Sequence, residues 1–167
     1  MNPLVSIVMG SDSDLEIMNE AVKPLEEFGI PYEIDISSAH RSPARTSEYS
    51  RSAEKRGLKV IIAGAGGAAH LAGVIAAETT LPVIAVPIAS TPLNGLDSLL
   101  AMVQMPAGIP VATVAIGKAG ATNAGILAAQ MIALSDSEVA KKLHAHKEKL
   151  AKGVEAKSQK LKESRKK

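Results

Sequence analysis

Cysteine and tryptophan are absent from this 167-residue chain, and phenylalanine occurs once. The lack of cysteine excludes disulfide bonds, thiolate metal ligands and cysteine nucleophiles, and it is typical of proteins kept in a reducing cytoplasm. Aromatic residues make up 2% of the chain and hydrophobic residues 46%, so we expect an aliphatic, alanine-rich core. A chain of this length can bury such a core within one domain.

Long apolar runs are also missing, since no uninterrupted run reaches the roughly 18 apolar residues of a membrane-spanning helix. The amino terminus has no basic segment followed by a long apolar run, so it does not resemble a secretory signal. We therefore expect a cytoplasmic protein with no membrane partner.

The net charge of +2 hides a basic carboxyl terminus. Residues 138–167 hold 11 Lys and Arg against 4 acidic residues, whereas residues 1–137 hold 8 against 13. A basic tail can indicate nucleic-acid binding, but these lysines alternate with glutamates and no aromatic side chain lies among them to stack on bases. We predict no nucleic-acid partner, and a basic helical extension over residues 136–167 that follows a catalytic domain over residues 1–135.

The body of the chain alternates between strand-like and helix-like segments. Continuous apolar runs in its second half are typical of parallel strands that helices cover on both faces. The predicted strands are 4–10, 32–37, 59–65, 82–88 and 111–117. The predicted helices are 15–28, 43–57, 68–79, 95–104 and 119–134. This alternation predicts an α/β fold, a three-layer α/β/α sandwich around a parallel, doubly wound sheet.

In an open sheet of this kind, ligands bind beyond the carboxyl ends of the strands. The segments that follow the five predicted strands are rich in Gly, Ser, Asn or charged residues. They are "GSDSD" (10–14), "SAHRSP" (38–43), "GAGGAAH" (64–70), "ASTPLNG" (89–95) and "GKAGATNAG" (117–125). We expect the functional site to be built from these segments.

Two glycine motifs do not carry the nucleotide chemistry that they first suggest. "GAGGAA" (64–69) fits a relaxed dinucleotide fingerprint, but that fingerprint expects an acidic residue about 20 positions on, at the end of the next strand. That region reads "PVIAVPIAS" and is followed by no acidic residue until Asp97. "GKAGAT" (117–122) lacks the spacing of a phosphate-binding loop. We predict no nicotinamide or flavin cofactor and no nucleoside triphosphatase. The glycines of the first motif are expected to bring backbone close to a small ligand or to a neighbouring subunit.

"GSDSD" lies where the first strand passes into the first helix. Helix starts favour anions, and the hydroxyls of Ser11 and Ser13 add hydrogen-bond donors. The other interpretation is that a serine caps the helix and that Asp14 is an ordinary acidic residue of its first turn. The two interpretations are compatible, because one serine can cap the helix while the other faces a ligand.

Histidines follow two of the predicted strands. His40 is followed by Arg41, which pairs a group able to move protons near neutral pH with a guanidinium suited to phosphate or carboxylate. His70 ends "GAGGAAH" and is either catalytic or a hydrogen-bonded structural residue. His144 and His146 lie two residues apart on the tail helix, lack metal-ligand spacing and are expected to be solvated. The residues alone indicate an enzyme for a small phosphorylated anion, with His40 transferring protons and no metal.

Residues 116–134 predict a helix that is apolar or small on nearly every face. Such a helix is normally buried all round, and a thin sandwich covers one side of it. We therefore expect a homo-oligomer in which another subunit supplies the remaining cover.

Five motifs in one order and spacing resemble the 5-(carboxyamino)imidazole ribonucleotide mutase family of purine biosynthesis. They are "MGSDSD", "SAHRSP", "VIIAGAGGAAHL", "GLDSLLAMVQMP" and "PVATVAIGKAGATNAGILAAQ". The resemblance covers residues 4–134. It implies a flavodoxin-like fold, a homo-octamer, and transfer of a carboxylate from the exocyclic nitrogen of the substrate to ring carbon 4 without cofactors. "SAHRSP" with "VQMP" is similar to the mutase branch, and the alternative is the sister branch that carboxylates aminoimidazole ribonucleotide with free carbon dioxide.

The resemblance also implies roles for single residues. Ser11 and Arg41 match contacts to the substrate phosphate, with Ser13 and Ser38 as further binding candidates, and Asp14 matches a ribose contact. His40 matches the group that protonates the departing nitrogen and later takes the proton from carbon 4. The wall of the base and carbon dioxide pocket is matched by His70, Gly66, Gly67 and Ala68.

Two positions depart from the family pattern. Leu15 stands where tryptophan is common, and Ala72 stands where proline is usual. Both changes are expected to affect local packing more than the reaction. A third hypothesis, from a different class, is a non-catalytic nucleotide-binding module, in which His40 would have no effect on any activity.

Overall fold

A computed structural model describes residues 2–165 of the chain. Its strands are β1 (Val5–Met9), β2 (Tyr32–Ile36), β3 (Val60–Gly66), β4 (Val83–Ile88) and β5 (Ala112–Thr113). They form one parallel sheet in the order β2-β1-β3-β4-β5. The chain passes from β1 outward to β2 and then back across β1 to β3, so the winding direction reverses between β1 and β3. The predicted parallel, doubly wound sheet is confirmed.

Within residues 2–165, six α-helices connect or follow the strands. They are α1 (Leu15–Phe28), α2 (Pro43–Ser52), α3 (Leu71–Glu78), α4 (Leu96–Val103), α5 (Lys118–Ala133) and α6 (Ser137–Ser164). Helices α1 and α5 cover one face of the sheet, and α2, α3 and α4 cover the other, which makes the predicted three-layer, flavodoxin-like sandwich. None of the helices in residues 2–165 combines the length and the apolar character that crossing a lipid bilayer requires.

The core is aliphatic, as the composition predicts. Successive residues of β3 point to opposite faces, so Ile62 packs under α1 and α5 while Ile61 and Ala63 pack under the other layer. The single phenylalanine, Phe28, is fully buried at the end of α1. Alanines of α5 such as Ala124 and Ala128 allow that helix to lie close to α1.

The fifth strand is much shorter than the predicted 111–117. Its two residues pair with Ile84 and Ala85, and the backbone N–H groups of Val114 and Gly117 continue along β4 by donating to the carbonyls of Ala85 and Pro87. Because β5 lies at the edge of the sheet, it has one neighbouring strand, and hydrophobic sequence alone does not indicate how long the pairing lasts.

Helix α6 packs on its own chain at its start. Asp136 caps it by accepting hydrogen bonds from the N–H groups of Glu138 and Val139, and Val139 is buried against the core. His146, predicted to be solvated, is instead half-buried, with its ring edge-on to Phe28 at 5.5 Å between ring centroids. The first turns of α6 thus supply part of the cover for α5 that we expected from another subunit.

Candidate functional site

A cavity of about 450 Å³ opens at the carboxyl ends of β1 to β4, around the reversal between β1 and β3. It brings together eight of the ten residues selected from the sequence. They are Ser11, Ser13, Asp14, Ser38, His40, Arg41, Gly66 and Ala68. Gly67 and His70 do not line it; Gly67 directly follows β3, and His70 contacts His40. Sequence reasoning did not select Gly10, Ala39, Ala65, Leu71 and Ser90, which also line the cavity.

The segment after β1 forms a single 3-10 turn, Asp12–Asp14, that leads directly into α1. Ser11 caps this turn, since its hydroxyl oxygen accepts a hydrogen bond from the N–H of Ser13 at 3.4 Å. Both serines also line the cavity. One segment therefore combines the cap, which is Ser11, with serine side chains that line the cavity.

Asp14 is the one buried carboxylate of this segment, with 6% of its surface exposed. Burial raises the pKa of Asp14 above its usual value, and hydrogen bonding by the Ser13 hydroxyl offsets part of that effect. No basic side chain is paired with this carboxylate among residues 2–165. Asp14 is thus a carboxylate without a basic partner that lines the cavity, where hydroxyl donors of a ligand could add to the hydrogen bond from Ser13.

We expect Asp14→Asn to raise the stability of the ligand-free protein at pH 7 and to weaken ligand binding. Because the folded-state pKa of Asp14 is raised, the charged carboxylate destabilises the fold, and this cost disappears as pH falls through the folded pKa. Urea unfolding of both proteins between pH 7 and pH 4 checks this, and the advantage of the variant should shrink toward the acid end. An advantage that is absent at pH 7 or grows on acidification would contradict the assignment.

The turn between β2 and α2 is held by hydroxyl groups at its base. The Ser37 hydroxyl contacts that of Thr46 at 2.8 Å, and both side chains are fully buried. Above them, the N–H and the hydroxyl of Ser42 both donate to the carbonyl of Ser38, at 2.9 and 3.0 Å. Hydrogen bonds within the chain itself therefore shape the turn that carries His40 and Arg41.

Arg41 spans the gap between β2 and β1. Its Nη2 donates to the carbonyl of Gly10 at 2.9 Å, and its Nε lies 3.4 Å from the Ser38 hydroxyl. A guanidinium has five N–H donors, so these two contacts fix its position and leave donors free for an anion in the cavity. Arg41, Ser11 and Ser13 together line a part of the cavity suited to a phosphate.

His40 and His70 contact each other across the end of the cavity. Nε2 of His40 lies 3.0 Å from Nδ1 of His70, and the rings are nearly edge-on. One of the two nitrogens must carry the proton that joins them, so the tautomers of the two rings depend on each other. This contact places His70 beside His40, next to the cavity.

The part of the wall that comes from β3 and the start of α3 is apolar. Ala65, Gly66 and Ala68 come from β3 and the turn after it, and Leu71 begins α3. Leu15, a departure from the family pattern, is 40% exposed on α1, and Ala72 is fully buried in α3. Neither lines the cavity. Residues 2–165 contain no group of three or more His, Asp or Glu side chains placed to hold a metal ion.

Comparison with known proteins places this architecture in one family. Residues 4–153 match the family model described as AIR carboxylase. The N5-carboxyaminoimidazole ribonucleotide mutase of Pyrococcus horikoshii is 58% identical over 96% of this chain and 90% of its own length. The enzyme of the same name from Thermotoga maritima is 57% identical over 95% of this chain and 92% of its own length.

A solved structure supports the same assignment. The crystal structure of Treponema denticola PurE superposes with a TM-score of 0.86 at 32% identity, covering 96% of this chain and 99% of that one. Since the family model spans most of the chain and relatives exceed half identity along nearly all of it, the chain belongs to the AIR carboxylase family.

Proposed function

We propose that this protein is an N5-carboxyaminoimidazole ribonucleotide mutase, the activity that its relatives carry in their names. The observation that carries the proposal is the cavity, in which Arg41 reaches toward Gly10 and Ser11 after β1 while His40 reaches toward His70 after β3. A ribonucleotide that carries a phosphate at one end and a reacting imidazole at the other fits this division.

His40 is the group that we assign to proton transfer. In the first step the carbamate C–N bond breaks, carbon dioxide is released into the cavity, and His40 gives a proton to the nitrogen that keeps the electron pair. In the second step carbon 4 of the imidazole attacks the carbon dioxide, and the proton from carbon 4 returns to His40. The cycle is balanced, because the product is an isomer of the substrate and one acid/base group serves both steps.

The other residues position the substrate. We assign the phosphate to Arg41, Ser11 and Ser13, and the ribose hydroxyls to the carboxylate of Asp14. A bidentate guanidinium contact fixes both distance and orientation, which keeps carbon 4 near the carbon dioxide released beside it. We assign Gly66 and Ala68 to the wall around the imidazole, with Gly67 and His70 next to that wall, and Ser38 to substrate binding beside Arg41.

The proposal is tested by supplying the two possible carboxyl sources separately. The protein should convert N5-carboxyaminoimidazole ribonucleotide faster than this carbamate decays by itself, and it should act poorly on aminoimidazole ribonucleotide with bicarbonate at millimolar concentration. Conversion no faster than the spontaneous decay would contradict the mutase activity. Faster use of aminoimidazole ribonucleotide would indicate the carbon-dioxide-dependent carboxylase instead.

We further propose that the protein is a homo-octamer and works in the cytoplasm. Exposed apolar side chains that cluster on one strand and two helices support the association of subunits. They are Ile34 and Ile36 on β2, Leu96, Leu100 and Val103 on α4, and Leu150, Val154 and Leu161 on α6. Patches of this kind are typical of subunit contacts. In this proposal residues 1–135 form the catalytic domain, and the extension over residues 136–167 uses its exposed stripe to contact a neighbouring subunit.

The expected mass is the check on the assembly. Native mass spectrometry should give about eight times the 17.3 kDa of one chain. Leu150→Lys combined with Val154→Lys should shift the protein toward smaller species, whereas Lys152→Glu, at an exposed position of the same helix, should not. A monomeric mass for the unaltered protein would overturn the octamer.

A further inference from the structure

Two hydrogen bonds from α4 and its neighbourhood hold the segment after β4, residues 89–95. The sequence placed this segment at the site but singled out none of its residues. The hydroxyl of Ser98, fully buried at the start of α4, donates to the carbonyl of Ile88 at 2.8 Å. The hydroxyl of Thr91 donates to Oδ2 of Asp97 at 2.6 Å. Between these two braced positions lies Ser90, the one residue of this segment that lines the cavity.

The glycine opposite Ser90 makes room for its hydroxyl. A Cβ atom added to Gly66 would overlap the Ser90 Oγ and would approach its Cβ to 2.8 Å. Gly66 has a φ in the ordinary range, so the glycine is needed here for space rather than for backbone conformation. Because Gly66, the second glycine of "GAGG", has no side chain, the Ser90 side chain can occupy this space and line the cavity.

The strand order determines which end of a substrate Ser90 can reach. Residues assigned to the phosphate and ribose follow β1 and β2, whereas Ser90 follows β4, on the far side of β3. A ligand anchored at Arg41 and Ser11 therefore extends its imidazole toward Gly66 and Ser90. The Ser90 hydroxyl makes no side-chain hydrogen bond within residues 2–165, so no such bond holds it away from a ligand.

We propose that Ser90 is a substrate-contacting residue that donates a hydrogen bond to the carboxyl group as it moves from nitrogen to carbon 4. This inference rests on the mutase activity proposed above. Negative charge grows on the carbon dioxide oxygens as carbon 4 attacks, and a fixed hydroxyl donor stabilises that charge more than it stabilises neutral carbon dioxide. Ser90 therefore favours recapture of the trapped carbon dioxide over its escape.

Ser90→Ala tests the inference through the fate of the substrate. We expect kcat to fall about a hundredfold to a thousandfold, the range for losing one donor to a developing charge. We also expect a clear rise in the share of substrate that ends as aminoimidazole ribonucleotide and free carbon dioxide instead of product. Ser158→Ala, an exposed serine of α6 outside the cavity, is the matched control and should leave both quantities unchanged.

A double substitution separates a packing role from the contact with the carboxyl group. Gly66→Ala alone should lower the midpoint of thermal unfolding, because the new methyl group meets Ser90. Gly66→Ala with Ser90→Gly should restore much of the midpoint, since the nearest remaining atom is the Ile88 carbonyl oxygen at 3.1 Å. Escape of carbon dioxide should stay high in the double variant, because the hydroxyl is still missing.

The two hypotheses fail in different ways. If the unaltered protein does not convert the carbamate, the proposed function is wrong and this inference is wrong with it. If the unaltered protein converts it and Ser90→Ala shows the same partition between product and escaped carbon dioxide, the role of Ser90 alone is wrong. A stable Ser90→Ala protein that loses binding of a phosphate ligand would also overturn it, since it would place Ser90 at the other end of the cavity.

Discussion

His40→Asn should lower kcat for the mutase reaction by about a hundredfold to ten-thousandfold while product binding stays within a few-fold of the unaltered protein. Asparagine keeps a polar group at this position but cannot give up and recover a proton. Its amide matches Nδ1 of the imidazole and does not extend to the position of Nε2, the atom that contacts His70. Steady-state kinetics with N5-carboxyaminoimidazole ribonucleotide, together with calorimetric titration of the product, measure the two effects separately.

His144→Asn provides the matched control for this experiment. His144 is exposed on α6 and lies outside the cavity, so kcat should not change. Unchanged turnover in His40→Asn would rule out the proton-transfer role and would favour a non-catalytic nucleotide-binding module. Loss of product binding equal to the loss of turnover would make His40 a binding residue instead.

Gly125→Ala should lower the free energy of unfolding by about 2 kcal/mol, although alanine is the better helix former by about 1 kcal/mol. Gly125 lies in α5 where it crosses α1, and an added Cβ would overlap the carbonyl oxygen of Ala21 and come within 2.5 Å of Pro24 Cγ. Neither neighbour can move without shifting the backbone of α1, because one is a carbonyl and the other a proline ring.

Gly153→Ala, in the exposed part of α6, is the comparison that isolates this close packing. No atom lies within 4 Å of a Cβ added there, so the helix propensity of alanine should act alone and raise stability by up to about 1 kcal/mol. Urea unfolding at one protein concentration measures both variants, since subunit association would otherwise shift the midpoints. Equal effects of the two substitutions would contradict the close contact between α1 and α5.

The order of elements and the location of the site could be predicted from the sequence, because both follow from local patterns. Continuous apolar runs marked β3 and β4, and residues placed just after strands converged on one cavity. The length of β5 could not be predicted, because it depends on pairing with a single neighbour. The half-buried state of His146 depends on the docking of α6 against Phe28, which no local pattern shows.

Features of the site that depend on contacts between distant elements were likewise not predicted from the sequence. Ser90 lies in a segment that the pattern marked, but its exposure to the cavity depends on the absence of a side chain at Gly66, on a different strand. The contact between His40 and His70 joins residues thirty positions apart. The resemblance implied that both residues belong to the same pocket, but not that their rings touch. Contacts between strand ends become visible when the strand order is known.

The most direct test of the account is to follow the carboxyl carbon itself. N5-carboxyaminoimidazole ribonucleotide labelled with carbon-13 in its carboxyl group is converted in the presence of excess unlabelled bicarbonate, and the product is examined by mass spectrometry. If carbon dioxide stays trapped between the two steps, most of the product should carry the label. Product whose label has been diluted to the level of the surrounding bicarbonate would contradict a mutase and would show that the enzyme takes its carbon dioxide from solution.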